Sequence, residues 1–377
     1  MQLRRVLAMF RKELIQIKRD SRSLIQIVLM PVILLLLYGY ALTFDIKHVP
    51  TAVLDQGRTQ ISRKFINRFL SSPYFSLNRY VDSYQQAEEL INRGEVHLVL
   101  VLAHDFGKKL TAEQPAKIQA IIDGSDANTA NVILGYVQGV TADYNQKIMV
   151  EHLEKKGLTR IKTPLKFEPR VWFNEEMESR NFIMPGLIVV IMTMVGATLT
   201  ALSVVREAER GSMEGLMASP LKRAELILGK LGPYFLVGML DMAIAMGMSH
   251  FLFDVPMRGS WLLMVCMSAL YLVVMLGQGL FISVASINQV QANQLAMLTT
   301  SMPAFLLSGF LFDIRQMPLI LQLFSYLVPA RYFVTIVKDI YLKGLGLEIL
   351  WPQALLMVGF AALYLTAAVR RFSKKVR

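Results

Sequence analysis

The stretch Arg206–Leu231, REAERGSMEGLMASPLKRAELILGKL, decides how the rest of the chain is read. It is dense in charge and lies between two apolar runs, residues 182–205 and 233–253. Each run is long enough to cross a bilayer, which takes about 20 apolar residues. The charged stretch is therefore a loop held against one membrane face. It is longer than a common helix–helix connection of about 2–8 residues. Met213, Leu216, Met217, Leu221 and Ile227 alternate with charge in a helical rather than a strand rhythm. This predicts a short helix ending before Pro220 and a second helix feeding the next span. A surface helix fixed between two spans passes a push from a soluble partner into the membrane. A solvated hairpin has the same pattern, and the residues alone leave both readings open.

Composition agrees with a membrane class. The 377 residues are 54% hydrophobic, with mean hydropathy +0.43. Globular chains are about 45–50% apolar. The net charge is +12 and the pI about 9.7, totals that a nucleic-acid binder shares. The position of the charge has to decide between the two. Cys266 is the only cysteine, which excludes an internal disulfide and a cysteine metal site. The basic, then apolar, N-terminus is longer than a signal-peptide core and lacks a clear cleavage site, so it reads as a retained span.

Residues 1–23 carry Leu3, Val6, Leu7, Phe10, Leu14 and Ile17 at helical spacing, with arginines and lysines over the rest of the surface. This predicts a cytosolic amphipathic helix in the headgroup layer. A first span follows at 24–44. Residues 45–181 read as an inserted extracytoplasmic α/β (α+β) domain. Its buried strands are expected at 51–55, 96–103 and 117–123, and its helices at 58–70, 83–93 and 126–156. Ser125 or Asp126 is expected to cap the last helix, and Gly135 and Gly139 to allow close packing. His97 and His104 beside the second strand read as structural. Five more spans are expected at 182–205, 233–253, 261–285, 294–312 and 349–369. Short re-entrant or surface helices over 313–348 would cap the outer mouth. The fold class is thus an α-helical membrane protein of six spans, with an α/β domain between the first and second.

Six spans place both termini on one side. Segments 1–23, 206–231 and 370–377 then share that side. They hold 17 basic against 6 acidic residues, a net +11 of the chain's +12. By the positive-inside rule this side is cytoplasmic, and 45–181 faces the periplasm. Topology thus explains the charge, and a nucleic-acid partner loses its support.

No G-x-x-x-x-G-K-[ST] phosphate loop, H-E-x-x-H or G-x-S-x-G occurs in the chain. No catalytic residue, metal ligand or directly bound cofactor is expected, and ATP would sit on a partner subunit. Asp241 is the one acidic residue deep in a predicted span, a costly placement that marks it for function. It reads either as a wall of a transport path or as an interhelical hydrogen-bond partner of Gln278.

Three stretches resemble the ATP-binding-cassette type-2 permeases, in the drug-exporter branch with a large extracytoplasmic domain. They are DGSDANTANVILGYV (123–137), REAERGSMEGLMASPLKRAELILGKLGPY (206–234), and LLSGFLFDIRQMP (306–318) with PARYF (329–333). The resemblance implies a multi-pass subunit of the bacterial inner membrane, moving amphiphilic or drug-like molecules outward. It implies a homodimer or a sister permease, separate ATPase subunits and a periplasmic adaptor. It also implies that 206–220 is the coupling helix, with Arg206, Glu207, Glu209, Arg210, Gly211, Met213 and Glu214 at the ATPase contact. The alternative from another class is a membrane-anchored signal transmitter or scaffold of an envelope complex.

Overall fold

The structure is a computed structural model that describes residues 3–20, 25, 29–41, 48–112, 114–155, 172–173, 178–211, 215 and 222–371. The chain divides into two compact units, Thr43–Arg170 and the combination of Met1–Leu42 with Val171–Arg377.

The smaller unit is an α/β layer structure. Its described helices are α3 (Gln60–Leu70), α4 (Tyr84–Asn92), α5 (Phe106–Thr111) and α6 (Ala127–Lys155). Its strands are β1 (Val49–Asp55), β2 (Phe75–Tyr80), β3 (Leu98–Leu102) and β4 (Ile118–Ile122), in the order β2-β1-β3-β4. β1 runs parallel to β2 and β3, and β4 closes antiparallel to β3. Period-two alternation sorts β3 between two cores. Leu98, Leu100 and Leu102 join Phe65, Phe69 and Phe106 on one face. Val99 and Val101 join Ala87 and Leu90 on the other. Sequence patterning missed β2, FSLNRY, because only Phe75 of its six residues is buried. Asp126 caps α6 by accepting the Thr129 N–H at 3.4 Å. Open space surrounds Gly135 and Gly139 rather than a second backbone, so the close packing expected there is absent among the described residues.

In the larger unit, α1 (Leu3–Arg19) and α2 (Met30–Ala41) precede α7 (Ser179–Glu209), α8 (Arg223–Phe251) and α9 (Trp261–Ala285). Next come α10 (Gln289–Ala296), a π-helical turn Met297–Ser301 and α11 (Met302–Leu306). Then α12 (Leu319–Ser325), α13 (Pro329–Lys338), a second π-helical turn Asp339–Lys343 and α14 (Leu347–Arg371) complete it.

α7 is the central rod. A helix apolar all round is a buried one, and every residue from Ile183 to Thr193 is enclosed. It crosses α9 closely, since a Cβ at Gly279 would lie 2.1 Å from Thr200 Oγ1 and 2.4 Å from the Ala197 carbonyl oxygen. Small residues of this kind let membrane helices approach when water supplies no hydrophobic drive between them. At the same crossing Thr193 bonds to the Tyr271 hydroxyl.

Four described helices are long and apolar enough to cross a membrane: Ser179–Glu209, Ala224–Phe251, Trp261–Ala285 and Leu347–Arg371. A fifth appears if the pair Leu319–Ser325 and Pro329–Lys343, bent by 84°, is one broken span. At two of the expected six spans the described residues carry less than a full membrane helix. In the first, the helix Met30–Ala41 covers 12 residues of the expected span 24–44, and most of the remainder lies outside the described residues. In the second, the expected span 294–312 is interrupted by the Met297–Ser301 π turn and Pro303, and its helix stops at Leu306. The expected 313–348 helices form the bent pair.

At the α7 notch a Cβ on Gly186 would lie 2.2 Å from the Phe310 ring, and Phe310 is buried in the core. Gly186→Val should therefore destabilise the protein by about 1–3 kcal/mol, the usual cost of overpacking. A thermal melt in detergent reads this as a lowered Tm, with part of the loss recovered by adding Phe310→Leu. An unchanged melt for Gly186→Val refutes the close contact.

Candidate functional site

The chain flanking the 206–231 loop is built around buried charge. α1 buries Met9, Glu13 and Ile17, four residues apart and hence on one helical stripe. That stripe lies against the start of α8, where glycines make room for it. A Cβ on Gly229 would meet Met9 Cβ at 2.6 Å, and one on Gly232 would meet the Phe10 ring at 2.7 Å. Between these glycines, Lys230 turns its side chain inward and is fully buried.

The Lys230 ammonium lies 2.7 Å from Glu207 Oε2 and 3.1 Å from Glu13 Oε1, and donates to the Ser203 carbonyl oxygen at 3.1 Å. An ammonium has three donors and no acceptor. Two are hydrogen-bonded here, to Glu13 Oε1 and the Ser203 carbonyl, while Glu207 Oε2 lies at ion-pair distance without hydrogen-bond geometry. Glu13 is 1% exposed and Glu207 2%. Lys12 bonds to Glu207 and lies 3.2 Å from Glu13, so two cations face two anions. Burial pulls the Lys12 ammonium down, but the bond to Glu207 and the fields of both glutamates outweigh it and hold its pKa above the ordinary value. Beside Glu207, Arg206 pairs with Asp20, just past the end of α1, at 2.7 Å. The cluster thus joins α1, the last turns of α7 and the first turns of α8.

The sequence-predicted contact residues separate into two sets here. Arg206 and Glu207 face inward and are engaged by α1, so Glu207 is sealed off from any soluble partner in this state. Glu209 and Arg210 are exposed at the helix end. Glu209 accepts the Gln289 N–H at 2.7 Å and also the Gln289 side-chain amide, which fastens the start of α10 to the end of α7. Gly211 stops the helix in the left-handed region at φ +69°, the usual glycine C-terminus. Met213, Glu214 and the helix expected to end before Pro220 lie outside the described residues. Glu225 closes the start of α8 by accepting the Lys222 N–H at 3.0 Å.

The expected Asp241–Gln278 bond is absent. Asp241 is fully buried by its own chain, and neither carboxylate oxygen has a hydrogen-bond partner among the described residues. Gln278 instead donates to the Thr299 carbonyl oxygen at 3.4 Å. Thr299 lies in the first π turn, which frees carbonyls from the regular helical ladder.

Sequence reasoning overlooked Glu13 and Lys230. Two signals were present: an acidic residue on the apolar stripe of α1, and a lysine inside the apolar start of a span, flanked by Gly229 and Gly232.

A family model described as ABC-2 family transporter protein matches residues 22–370. The chain belongs to the ABC-2 transporter family. It is 36% identical over 363 residues to the "Probable multidrug ABC transporter permease YbhS" of Escherichia coli (strain K12), covering 96% of this chain and 95% of that one. It is 29% identical over 372 residues to the "Probable multidrug ABC transporter permease YbhR" of the same strain, covering 99% of each. It is 25% identical over 332 residues to the "Inner membrane transport permease YhhJ" of that strain, covering 87% of this chain and 86% of the relative. The ABC-2 chain described here is therefore a multi-pass permease, a transport component rather than an enzyme in itself. Membership of the family implies an ATPase partner.

Removing Lys230 would leave Glu13 and Glu207 buried with half their countercharge. Breaking a buried ion pair from one side costs about 3–5 kcal/mol. Lys230→Met should lower the Tm accordingly, and adding Glu13→Gln should recover most of the loss. A Lys230→Met protein that melts like the parent contradicts the buried network.

Proposed function

We propose that this chain is the membrane half of an ATP-driven exporter that moves amphiphilic or drug-like molecules outward across the bacterial inner membrane. The observation that carries the reading is the Lys230 cluster, because it makes α1, α7 and α8 one body around the 206–231 loop. A force on that loop cannot be absorbed by one helix end alone. It tilts α7 and α8 together, and α7 carries the motion through the core of the unit.

In this reading separate ATPase subunits, which bind the ATP, dock on the cytosolic loop. Glu209, Arg210, Met213 and Glu214 form the contact, Gly211 gives the turn that presents them, and Arg206 and Glu207 hold the loop's base. The basic segments support a cytosolic position for both termini, with six spans and residues 45–181 in the periplasm. Two permeases, identical or sister chains, enclose the path, and the periplasmic unit offers a surface to an adaptor protein. Asp241 on α8 and Gln278 on α9 are assigned to the transport path. The multidrug names of the YbhS and YbhR relatives support the choice of substrate class.

The test is ATP hydrolysis by the permease and its ATPase reconstituted together in vesicles. Drug-like amphiphiles should stimulate hydrolysis and accumulate on the side opposite the ATPase. Glu209→Lys inverts the charge at an exposed contact, and loss of a charged hydrogen bond of about 1.5–3 kcal/mol predicts at least tenfold weaker ATPase docking. The variant should still elute as a monodisperse protein. Hydrolysis indifferent to every amphiphile, or docking unchanged by Glu209→Lys, contradicts the assignment.

A further inference from the structure

Three separate pieces of chain meet at one ammonium group near the start of α7, away from the Lys230 cluster at its end. Lys338 closes α13. Its Nζ donates to the Gly309 carbonyl oxygen at 2.8 Å and lies 3.5 Å from the centroid of the Phe182 ring, in the first turn of α7. Gly309 sits at φ +80° in the turn after α11. The neighbouring Phe310 fills the Gly186 notch and meets Phe305 edge-on at 5.6 Å. Directly after Lys338 the second π turn begins, and its Tyr341 carbonyl oxygen accepts the Arg258 N–H at 3.0 Å.

The chemistry of this contact differs from that of Lys230. Lys230 donates to Glu13 Oε1 and the Ser203 carbonyl and faces a second buried carboxylate, Glu207, so its release would strand buried anions. Among the described residues Lys338 donates to one acceptor, a neutral carbonyl, and otherwise rests on an aromatic face, within the field of the exposed Asp313 carboxylate. A cation–π contact with one carbonyl bond holds a lysine, but water or a lipid headgroup replaces both partners without stranding a buried counterion. Lys338 is half-buried, and an apolar residue there would avoid the cost of desolvating an ammonium. Packing therefore does not account for a lysine here. The α10–α11 run also connects the two ends, since Gln289 at its start is bonded to Glu209 and Gly309 follows just after Leu306.

We propose that Lys338 is a positioning residue of the transport cycle: a releasable clamp that holds the bent α12–α13 pair against the 309–310 turn and the start of α7. Release of the Gly309 bond frees the 309–310 turn, while α13 stays seated in the core through Phe333, Val334, Ile336 and Val337. This role rests on the exporter reading, but the clamp itself is measured without ATP or substrate.

The experiment uses the full-length chain in lipid nanodiscs, with Cys266→Ser and Ser308→Cys as a single reporter. Ser308 is 2% exposed, so its cysteine should react slowly with a polar maleimide. Lys338→Met should raise that rate about tenfold, because the turn then opens more often. Phe182→Leu, which removes the ring but keeps apolar volume, should give a smaller increase. Lys338→Arg should stay near the parent, since a guanidinium both donates to a carbonyl and stacks on a ring. Where Lys338→Met is not monodisperse, the Phe182→Leu rate decides. A rate unchanged by the methionine and leucine variants, or raised equally by arginine, overturns the clamp. A raised labelling rate in a complex that shows no substrate-stimulated hydrolysis would sink the exporter reading while leaving the clamp in place.

Discussion

The larger unit depends on an ammonium with nowhere else to go. Lys230 is sealed from water, and an isolated charge in such a place costs several kcal/mol even after the surroundings relax. Glu207 and Glu13 must therefore stay within reach of it. That requirement fixes the last turns of α7 and the face of α1 relative to the start of α8. A buried ion pair of this kind adds little net stability over an apolar substitute. Its effect is on geometry: α1 cannot rotate or slide without stranding a charge, so the loop between α7 and α8 has a rigid base.

The rest of the unit carries that rigidity through the core. α7 is enclosed by its neighbours, and the close crossing at Gly279 and Thr200 leaves α9 little room to move independently. Compliance is found elsewhere. The two π turns interrupt the regular helical ladder, and the helix pair after the Gly309 turn is bent by 84°. Lys338 holds this softer region by contacts that water can replace. The unit thus combines a permanent charged tie at one end of α7 with an exchangeable one at the other.

Much of this was legible in the sequence because the governing signals are long. The apolar runs of α7, α8, α9 and α14, the strands β1, β3 and β4, and the amphipathic α1 follow from hydropathy and period. The charged loop stood out by contrast with its flanks. What sequence missed depends on three-dimensional pairing. Glu207 carries the same charge as Glu209, yet one faces inward and the other outward, and only the angle around the helix separates them. Glu13 and Lys230 lie 217 positions apart, a pairing that no local pattern reveals. Asp241 and Gln278 looked like partners by chemistry alone, and helix packing keeps them unbonded. β2 was invisible because an edge strand buries too little to show alternation.

The central claim is that α1, the end of α7 and the start of α8 move as one body. Spin labels at Arg11→Cys, Ala208→Cys and Ala224→Cys, paired two at a time in a Cys266→Ser background, measure this directly. Pulsed electron–electron resonance on the permease–ATPase complex, with and without trapped ATP, gives the three distances. The account predicts that all three stay fixed between the two states, while the distance from Ala208 to a label at Leu319 on α12 changes. Three fixed distances lost on trapping ATP, with α1 drifting from α7 or α8, would contradict it.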